Sequence, residues 1–329
     1  MTAPGSAPDP VSALTTPEAL TAAIRAAGLD PDRAGQPGPA ALASPSYLAL
    51  ESASVLLDGP EGAVFLKVMH PEMRAGFDLP AAMQLARQAG AAGAGPRVVW
   101  SDNDMGAIAM QALTGPDWHR ASQHMLQDPD VVAGAMQALR RLHATAPLPQ
   151  RFDPFAQIDA QIAALEGLDA LPDDIGWLRR LTFQCRALCR DMPLVPCRND
   201  GAASNLMRGA SGQVLLVDYD RAGMNDPMYD LGCLLAEITD FPQDMRAGYI
   251  AYAGRFDEAG FARARLWSVV DDMLHALWAR RMSRVSARPG VEWLKYGEWR
   301  LMRLRLALNH PDFEQMLRLA TQPRTRVAA

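Results

Sequence analysis

Short apolar runs separated by turn residues fill the first third of the chain and predict a small β-sheet. Strands are predicted at residues 53–58 and 63–69, and the Gly-Pro-Glu-Gly turn between them is typical of a hairpin. Two further strands are predicted at residues 97–100 and 107–110, after a helix over residues 79–92. The pattern therefore predicts a sheet accompanied by a helix.

The periodicity changes near Asp117, after which apolar residues recur at helical spacing. The exception is a hairpin whose second strand, residues 214–217, is a continuous apolar run of the kind found in buried strands. At 329 residues, the chain is long enough for two domains of ~150 residues each. We expect a two-lobed α+β fold. A small antiparallel sheet with a helix forms the N-lobe, residues 15–112, and the C-lobe, residues 113–329, is larger and mostly helical.

Composition argues against several classes of function. The net charge is -5 and no basic block is present, whereas nucleic-acid binding needs clustered Lys and Arg. No apolar run reaches the ~18 residues that a membrane span requires. Residues 1–14 have neither a basic start nor an apolar core, so we expect a disordered N-terminus and not a signal peptide. The expected location is the cytoplasm, and the sequence does not indicate an oligomeric state.

The cysteines do not have the spacing of a zinc site. The chain has four of them, and no two Cys-x-x-Cys units are present. We interpret them as reduced thiols of a cytosolic protein. Cys185 and Cys189 lie one helical turn apart and could hold a metal, although packing is the more common use of such a pair.

Three polar residues around the predicted hairpin are of the types that phosphoryl transfer requires. Asn205 follows Asp200 by five positions, and Asp218 stands at the end of the apolar strand. Transfer of a γ-phosphoryl group needs a base for the acceptor hydroxyl and oxygen ligands for Mg²⁺. A single Asp before Gly is more often a turn residue, so the hypothesis depends on the combination. The pattern predicts a small-molecule kinase.

Two segments resemble the aminoglycoside phosphotransferase and choline kinase family. Residues 197–207 are similar to its catalytic loop, His-x-Asp-x-x-x-x-Asn, and residues 218–231, DYDRAGMNDPMYDL, are similar to its metal-binding segment. The segment from Arg140 to His143 resembles the end of the family's helix before that loop. The resemblance spans roughly residues 60–300 and implies a protein kinase-like fold with ATP and Mg²⁺ as cofactors.

The resemblance assigns roles around the catalytic loop. Asp200 would orient and deprotonate the acceptor hydroxyl. Asn205 and Asp218 would hold Mg²⁺. Asp230 would have a structural role, because in the family an aspartate at this point supports the catalytic loop by hydrogen bonding.

The resemblance also places a nucleotide in the N-lobe. Lys67 would bind the phosphates, and the backbone of Gln111 to Leu113 would meet the adenine edge as the hinge between lobes. The helix after Lys67 lacks the glutamate that pairs with this lysine in the family. Glu72 or Asp78 would have to replace it, or the lysine would stand alone.

Two more departures from the family pattern concern the loops. Arg198 stands where the family has the histidine that stabilises the catalytic loop, so a guanidinium must take over that role or the support is lost. No glycine-rich phosphate loop precedes the first predicted strand, and residues 43–47 are its candidate substitute.

The acceptor site is predicted from two C-terminal helices. Trp267, Asp271 and Trp278 share one helix face, and a carboxylate between two indoles suits a quaternary ammonium. Tyr296 and Trp299 repeat the pattern on the next helix, in a segment that resembles the aromatic choline pocket of choline kinases. Such stripes are also common in helix packing, and this alternative stays open.

We therefore expect an enzyme that phosphorylates a small amino alcohol, choline or ethanolamine first. One alternative is a catalytically silent binding protein of the same fold, suggested by Arg198 and the missing glutamate. Another is an aminoglycoside or sugar kinase, whose acceptor site could use Asp220, Asp226, Asp240 and Asp272.

Overall fold

The computed structural model confirms an α+β fold with a sheet-rich N-lobe and a helical C-lobe. It describes residues 14–37, 51–122, 124–190, 193–239, 241–288 and 291–321. Residues 1–13, most of the expected disordered N-terminus, lie outside these ranges. The candidate phosphate loop at residues 43–47 and Asp240 lie outside them as well.

Antiparallel strands in the order β1-β2-β3-β5-β4 form the N-lobe sheet. The predicted hairpin is confirmed, with β2 and β3 paired from Ser52 and Met69 to Gly59 and Gly62. Gly62 adopts a φ of 114°, which glycine tolerates because it has no Cβ. The strands are β1 Ala34–Pro37, β2 Ser52–Gly59, β3 Gly62–Met69, β4 Val98–Asp102 and β5 Ala107–Gln111.

Alternation along β3 decides which way Lys67 points. Leu66 and Val68 belong to an apolar cluster with Ile24 of helix α1, Pro17–Ala26. Because successive side chains of a strand point to opposite faces, Lys67 faces away from this cluster, toward the C-lobe. Helix α2 spans Pro71–Arg74, and helix α3, Leu79–Ala91, packs in the cluster that contains Ile108 and Met110.

The C-lobe combines helices with two small sheets. Strands β6, β8 and β9 form one sheet, and β7 pairs with β10 in the other. The strands are β6 Trp118–Arg120, β7 Val195–Cys197, β8 Leu206–Gly209, β9 Val214–Leu216 and β10 Gly223–Asn225. The helices are α4 Pro129–His143, α5 Pro154–Glu166, α6 Ile175–Thr182, α7 Pro227–Ile238, α8 Pro242–Ala253, α9 Glu258–Val285, α10 Trp293–Leu308 and α11 Phe313–Thr321.

Helix α9 forms the centre of the C-lobe core. It is 28 residues long and buries side chains on most of its circumference, as expected for a helix surrounded by others. Trp267 of α9 contacts Tyr229 and Phe155, with ring centroids 5.6 and 6.1 Å away. Cys185 is buried in the same core. Among the described residues, no helix is both long and apolar enough to cross a membrane.

Helix α7 packs very closely on α9 at Gly232. A Cβ at this position would overlap the backbone carbonyl of Ala264. Glycine is thus required here by the distance between two helices and not by its φ angle. The contact matters for the site because α7 also carries Asp230 near its N-terminus.

We expect Gly232→Ala to lower the free energy of unfolding by about 1–3 kcal/mol or more, because a buried overlap forces the two helices apart. Urea denaturation measures the change. Gly176→Ala on α6 is the matched control, since a Cβ there meets no atom within 4 Å of the described chain. Its effect should stay within about 1 kcal/mol. Equal losses in both variants would contradict this account of the α7–α9 contact.

Candidate active site

Asp230 anchors the loop that follows β7. Its carboxylate accepts hydrogen bonds from the backbone N–H groups of Arg198 at 2.8 Å and Asn199 at 2.7 Å. His143 Nε2 lies 3.1 Å from the same carboxylate, and Asp230 is only 1% exposed. His143 and Asp230 also lie within 4.8 Å of Cys197 in a group of potential metal ligands, but these carboxylate oxygens are already occupied by the loop. The arrangement fits the structural role expected for Asp230.

Asn199 holds the loop from the other side. Its φ is 57°, a left-handed conformation that asparagine tolerates better than most residues. Its side-chain amide donates to the carbonyl of Arg221 at 2.9 Å, and its oxygen accepts from Asn225 at 2.8 Å. The sequence analysis missed this residue. The signal available was an amide side chain directly before Asp200.

Arg198 supplies the support that the family's histidine gives. Its guanidinium donates to the backbone carbonyls of Asn205 at 3.0 Å, Val217 at 2.9 Å and Asp200 at 2.5 Å. The residue is fully buried. These bonds tie the loop of Asp200 to the strand end that carries Asp218. A planar group with five N–H donors can hold several carbonyls at once.

A short turn brings Asp200 and Asn205 together. Residues Ala203–Asn205 form a 3₁₀ turn, and the side-chain amide of Asn205 donates to Asp200 Oδ2 at 2.5 Å. Asp200 Oδ1 accepts from the backbone N–H of Ala202 at 2.8 Å. Because the amide nitrogen of Asn205 is bound to Asp200, its amide oxygen is the atom left to coordinate a cation.

Lys67 pairs with two aspartates at the end of the β8–β9 hairpin. Its Nζ lies 2.8 Å from Asp218 Oδ1 and 2.7 Å from Asp220 Oδ1. Neither expected substitute partner contacts it, because Glu72 pairs with Arg288 and Asp78 caps helix α3. Asp220, predicted as an acceptor-binding residue, lies beside this lysine instead. The alternating β3 register and the hairpin end explain the pairing, which spans about half the chain.

Burial and mutual charge set the pKa values of this cluster. Burial and the neighbouring Asp218 carboxylate raise the pKa of Asp220 to about 6. Burial alone would raise the pKa of Asp218, but the Lys67 ammonium outweighs it and the pKa is lowered. The two aspartates in turn raise the pKa of Lys67 despite its burial. The lysine is therefore held as a cation and Asp218 as an anion.

Glu51 is a further carboxylate that the sequence analysis missed. Burial and the charge of Asp218 raise its pKa to about 8. It lies just before β2, where no sequence motif distinguishes it from an ordinary surface glutamate. Its backbone carbonyl accepts from the N–H of His70, which fixes this end of the strand.

A cavity of about 630 Å³ lies between the lobes, and we call it the cleft cavity. Its volume is in the range of small-molecule sites, and its walls combine apolar side chains with a few polar groups. All five residues predicted to bind nucleotide or metal line it. They are Lys67, Gln111, Leu113, Asn205 and Asp218.

A second cavity of about 390 Å³, the C-lobe cavity, lies on the other side of the catalytic loop. Asp200 lines it, together with Asp271 and Trp299, two of the predicted acceptor residues. Arg120 and Ser204 line both cavities. Asp200 and Asn205 thus lie at the boundary between the two cavities.

Two of the predicted acceptor tryptophans do not line the C-lobe cavity. Trp267 is fully buried, and its indole donates to Asp226 at 2.7 Å. Trp278 packs edge-on against Trp293, with ring centroids 5.3 Å apart. Helical spacing correctly placed Trp267 on the same helix face as Asp271. Neighbouring helices cover this face at Trp267, so the indole is part of the core.

Asp271 is enclosed by its own partners. It accepts from the Tyr229 hydroxyl at 2.7 Å, pairs with Arg300 and lies 3.1 Å from His275 Nδ1. Burial alone would raise the pKa of Asp271, but the charge of Arg300 and the hydrogen bonds with His275 and Tyr229 lower it well below its ordinary value. Asp271 is therefore an ionised carboxylate whose oxygens are already bound by the protein.

The sequence matches the family model of the phosphotransferase enzyme family over residues 49–267, more than half of the chain. The chain belongs to this family. It is therefore a phosphotransferase, and the family resemblance is confirmed. No match was found among the curated proteins.

Solved structures confirm the kinase-like fold. A choline/ethanolamine kinase family protein from Mesorhizobium loti has a TM-score of 0.77 and 23% identity, covering 92% of this chain and 99% of its own. Choline kinase LicA from Streptococcus pneumoniae has a TM-score of 0.65 and 17% identity, covering 78% of this chain and 89% of its own. APH(2″)-IIa in complex with gentamicin gives 0.56 and 18%, covering 77% and 88%. At these identities, the likeness concerns the fold.

We expect Asp230→Ala to lower the free energy of unfolding by about 3–5 kcal/mol, because two buried backbone N–H groups lose their acceptor. Urea denaturation followed by circular dichroism measures the loss. Asp159→Ala is the control, since Asp159 forms half-exposed ion pairs with Arg179 and Arg186. It should cost less than about 1 kcal/mol. Similar losses in the two variants would show that Asp230 does not anchor the loop.

Proposed function

We propose that the chain transfers the γ-phosphoryl group of Mg-ATP to a hydroxyl group of a small molecule. The nucleotide would occupy the cleft cavity and the acceptor the C-lobe cavity. One observation carries the proposal: Asp200, which lines the C-lobe cavity, is hydrogen-bonded at 2.5 Å to Asn205, which lines the cleft cavity. A base and a metal ligand therefore meet where the two cavities adjoin.

Asp200 is positioned to take the proton of the acceptor hydroxyl. Its carboxylate faces the C-lobe cavity while Asn205 and the N–H of Ala202 fix its orientation. A base acts efficiently when it is held within hydrogen-bonding distance of the proton that it abstracts. Arg198 and Asp230 contribute indirectly by holding the loop.

Asn205 and Asp218 have the donor chemistry that Mg²⁺ prefers, an amide oxygen and a carboxylate in one cavity. When bound, the metal neutralises charge on the β- and γ-phosphate oxygens. Lys67 is a cation at the same place and would bind the phosphates. Gln111 and Leu113 would meet the adenine edge. LicA, a fold neighbour, has also been crystallised with AMP, which supports a nucleotide as the phosphoryl donor.

The acceptor is a small alcohol, and two classes are candidates. An amino alcohol, choline or ethanolamine, is supported by the kinases of that name among the fold neighbours and by Asp271 and Trp299 in the C-lobe cavity. A sugar or aminoglycoside acceptor is supported by the fold neighbour that binds gentamicin. Asp271 already pairs with Arg300, which weakens its support for an amino alcohol.

Two departures from the family pattern suggested a catalytically silent binding protein, and other contacts compensate for both of them. Arg198 supports the catalytic loop through three carbonyls, so the missing histidine does not leave the loop unsupported. Lys67 has Asp218 and Asp220 as partners, so the missing glutamate does not leave it alone. Both observations favour an active enzyme.

We expect Asp218→Ala to lower turnover by more than about 100-fold while the protein stays folded, because a metal ligand is lost from the surface of a cavity. The assay is ADP release with Mg-ATP across amino alcohols, sugars and aminoglycosides, with the melting temperature as the folding check. Asp58→Asn, an exposed aspartate of β2, is the control and should leave turnover unchanged. Undiminished turnover in the Asp218 variant would refute the proposed site.

We expect Mg-ATP to stabilise the wild-type protein by about 2.7 kcal/mol at 100 times its dissociation constant. Thermal denaturation measures this shift. Lys67→Ala should reduce it, whereas Arg97→Ala, which removes an exposed pair with Glu61, should not. Stabilisation without turnover of any acceptor would favour the silent binding protein.

A further inference from the structure

Apart from Asp200, the acidic side chains described around the C-lobe cavity are paired with arginines of helix α10. Asp271 pairs with Arg300, and Asp272 lies 3.0 Å from Arg300 and 3.4 Å from Arg303. Glu237 of α7 lies 3.1 Å from Arg303. An acceptor ammonium would therefore find each of these three carboxylates already neutralised.

Arginines also occupy the faces of the aromatic rings at the C-lobe cavity, Tyr296 and Trp299. The Arg300 guanidinium carbon lies 5.9 Å from the ring centroids of both Tyr296 and Trp299. Arg303 lies over Trp299 at 4.9 Å. These distances are within the range of cation–π attraction. The place that a quaternary ammonium would take, between a carboxylate and two aromatic rings, is filled by the protein's own cation.

Arg300 cannot easily leave this position. It is only 6% exposed, and its movement would leave Asp271 and Asp272 as buried charges without their partner. A guanidinium also stays protonated, so it cannot give way by losing its charge. The arginine is a permanent part of the cavity wall.

The remaining lining groups suit an uncharged ligand. Among the charged side chains that line the cavity, the guanidinium groups of Arg120 and Arg300 match the carboxylates of Glu237 and Asp271 in number, so apart from Asp200 the described lining has no surplus charge. Burial lowers the pKa of His275, which keeps its ring neutral. Its Nδ1 faces Asp271 and Arg300, and its Nε2 is the ring nitrogen left for a ligand. Ser204 adds a hydroxyl.

We propose that Arg300 excludes quaternary ammonium compounds from the C-lobe cavity and that the acceptor is an uncharged polyhydroxy compound, a sugar or polyol. Hydroxyl groups can bond to the neutral imidazole of His275, to the Ser204 hydroxyl and to the paired charges of Asp271 and Arg300. This inference rests on the proposed function, since the acceptor hydroxyl is the one that Asp200 deprotonates.

The first experiment needs no variant. Calorimetry measures binding of choline, tetramethylammonium and a set of sugars and polyols to the wild-type protein, and ADP release measures their turnover. We expect no saturable binding of either ammonium compound, and binding and turnover of at least one uncharged compound. Saturable binding of choline, or turnover of choline as efficient as that of the best polyol, would overturn the inference while leaving the proposed phosphotransfer intact. If no compound caused acceptor-dependent ADP release, the proposed function would be refuted. The calorimetric measurement with choline would still show whether Arg300 excludes quaternary ammonium compounds.

A substitution then tests Arg300 directly. Arg300→Ala should raise the affinity for choline at least about tenfold, because it removes the cation that pairs with Asp271 and lies against the Tyr296 ring. Choline should also raise the melting temperature of this variant but not of the wild type. Arg305→Ala is the matched control. Arg305 is on the same helix as Arg300, but it pairs with Asp174 and does not line the C-lobe cavity. Arg300→Lys keeps the cation and should still exclude choline. Equal choline affinity in the alanine variant and the wild type would overturn the role of Arg300.

Discussion

The candidate active site depends on a loop whose backbone hydrogen bonds end on buried side chains. Asp230 accepts two N–H groups of this loop, and Arg198 donates to three of the surrounding carbonyls. Buried backbone groups without partners are costly, so the loop has one favourable conformation. Asp200, Asn205 and Asp218 owe their relative positions to it. The close packing of α7 on α9 at Gly232 fixes the helix from which Asp230 acts.

Two clusters of buried charge flank this loop, and they differ in kind. At the cleft cavity one lysine, Lys67, pairs with two aspartates, Asp218 of the cavity lining and Asp220 beside it, so this cluster has more carboxylates than cations. Such a site favours a cation. Burial is the main cause of the raised pKa values of Asp220 and Glu51, and the charge of Asp218 adds to it. Around the C-lobe cavity the arginines of α10 balance the carboxylates. The contrast is consistent with metal and nucleotide on one side and an uncharged acceptor on the other.

Motif spacing in the sequence pointed to Asn205 and Asp218, which line the cleft cavity, and to Asp200 at its boundary. A 3₁₀ turn brings Asp200 and Asn205 together, and a hairpin connects Asn205 to Asp218. Both are local structures, so the number of residues between these side chains can reveal them. The hairpin of β2 and β3 was predictable for the same reason. The partners of Lys67 were not, because the aspartates that contact it are separated from it by about half the chain. Residues 78 and 72, which are near in sequence, serve other contacts.

Local sequence determined the α+β fold class, the β2–β3 and β8–β9 hairpins and the polar residues of the loop at Asp200, because these follow from periodicity, turn chemistry and short-range spacing. It did not reveal the short strands β6, β7 and β10. The tertiary structure decided which polar groups are neutralised and which stay available. Trp267 and Asp271 share a helix face in any α-helix, but only the packing of α10 and α5 against that helix buries the indole and pairs the carboxylate with Arg300. Arg198 likewise has its supporting role because three carbonyls from different segments converge on it. Burial and charge pairing depend on all neighbouring segments at once, which no single stretch of sequence contains.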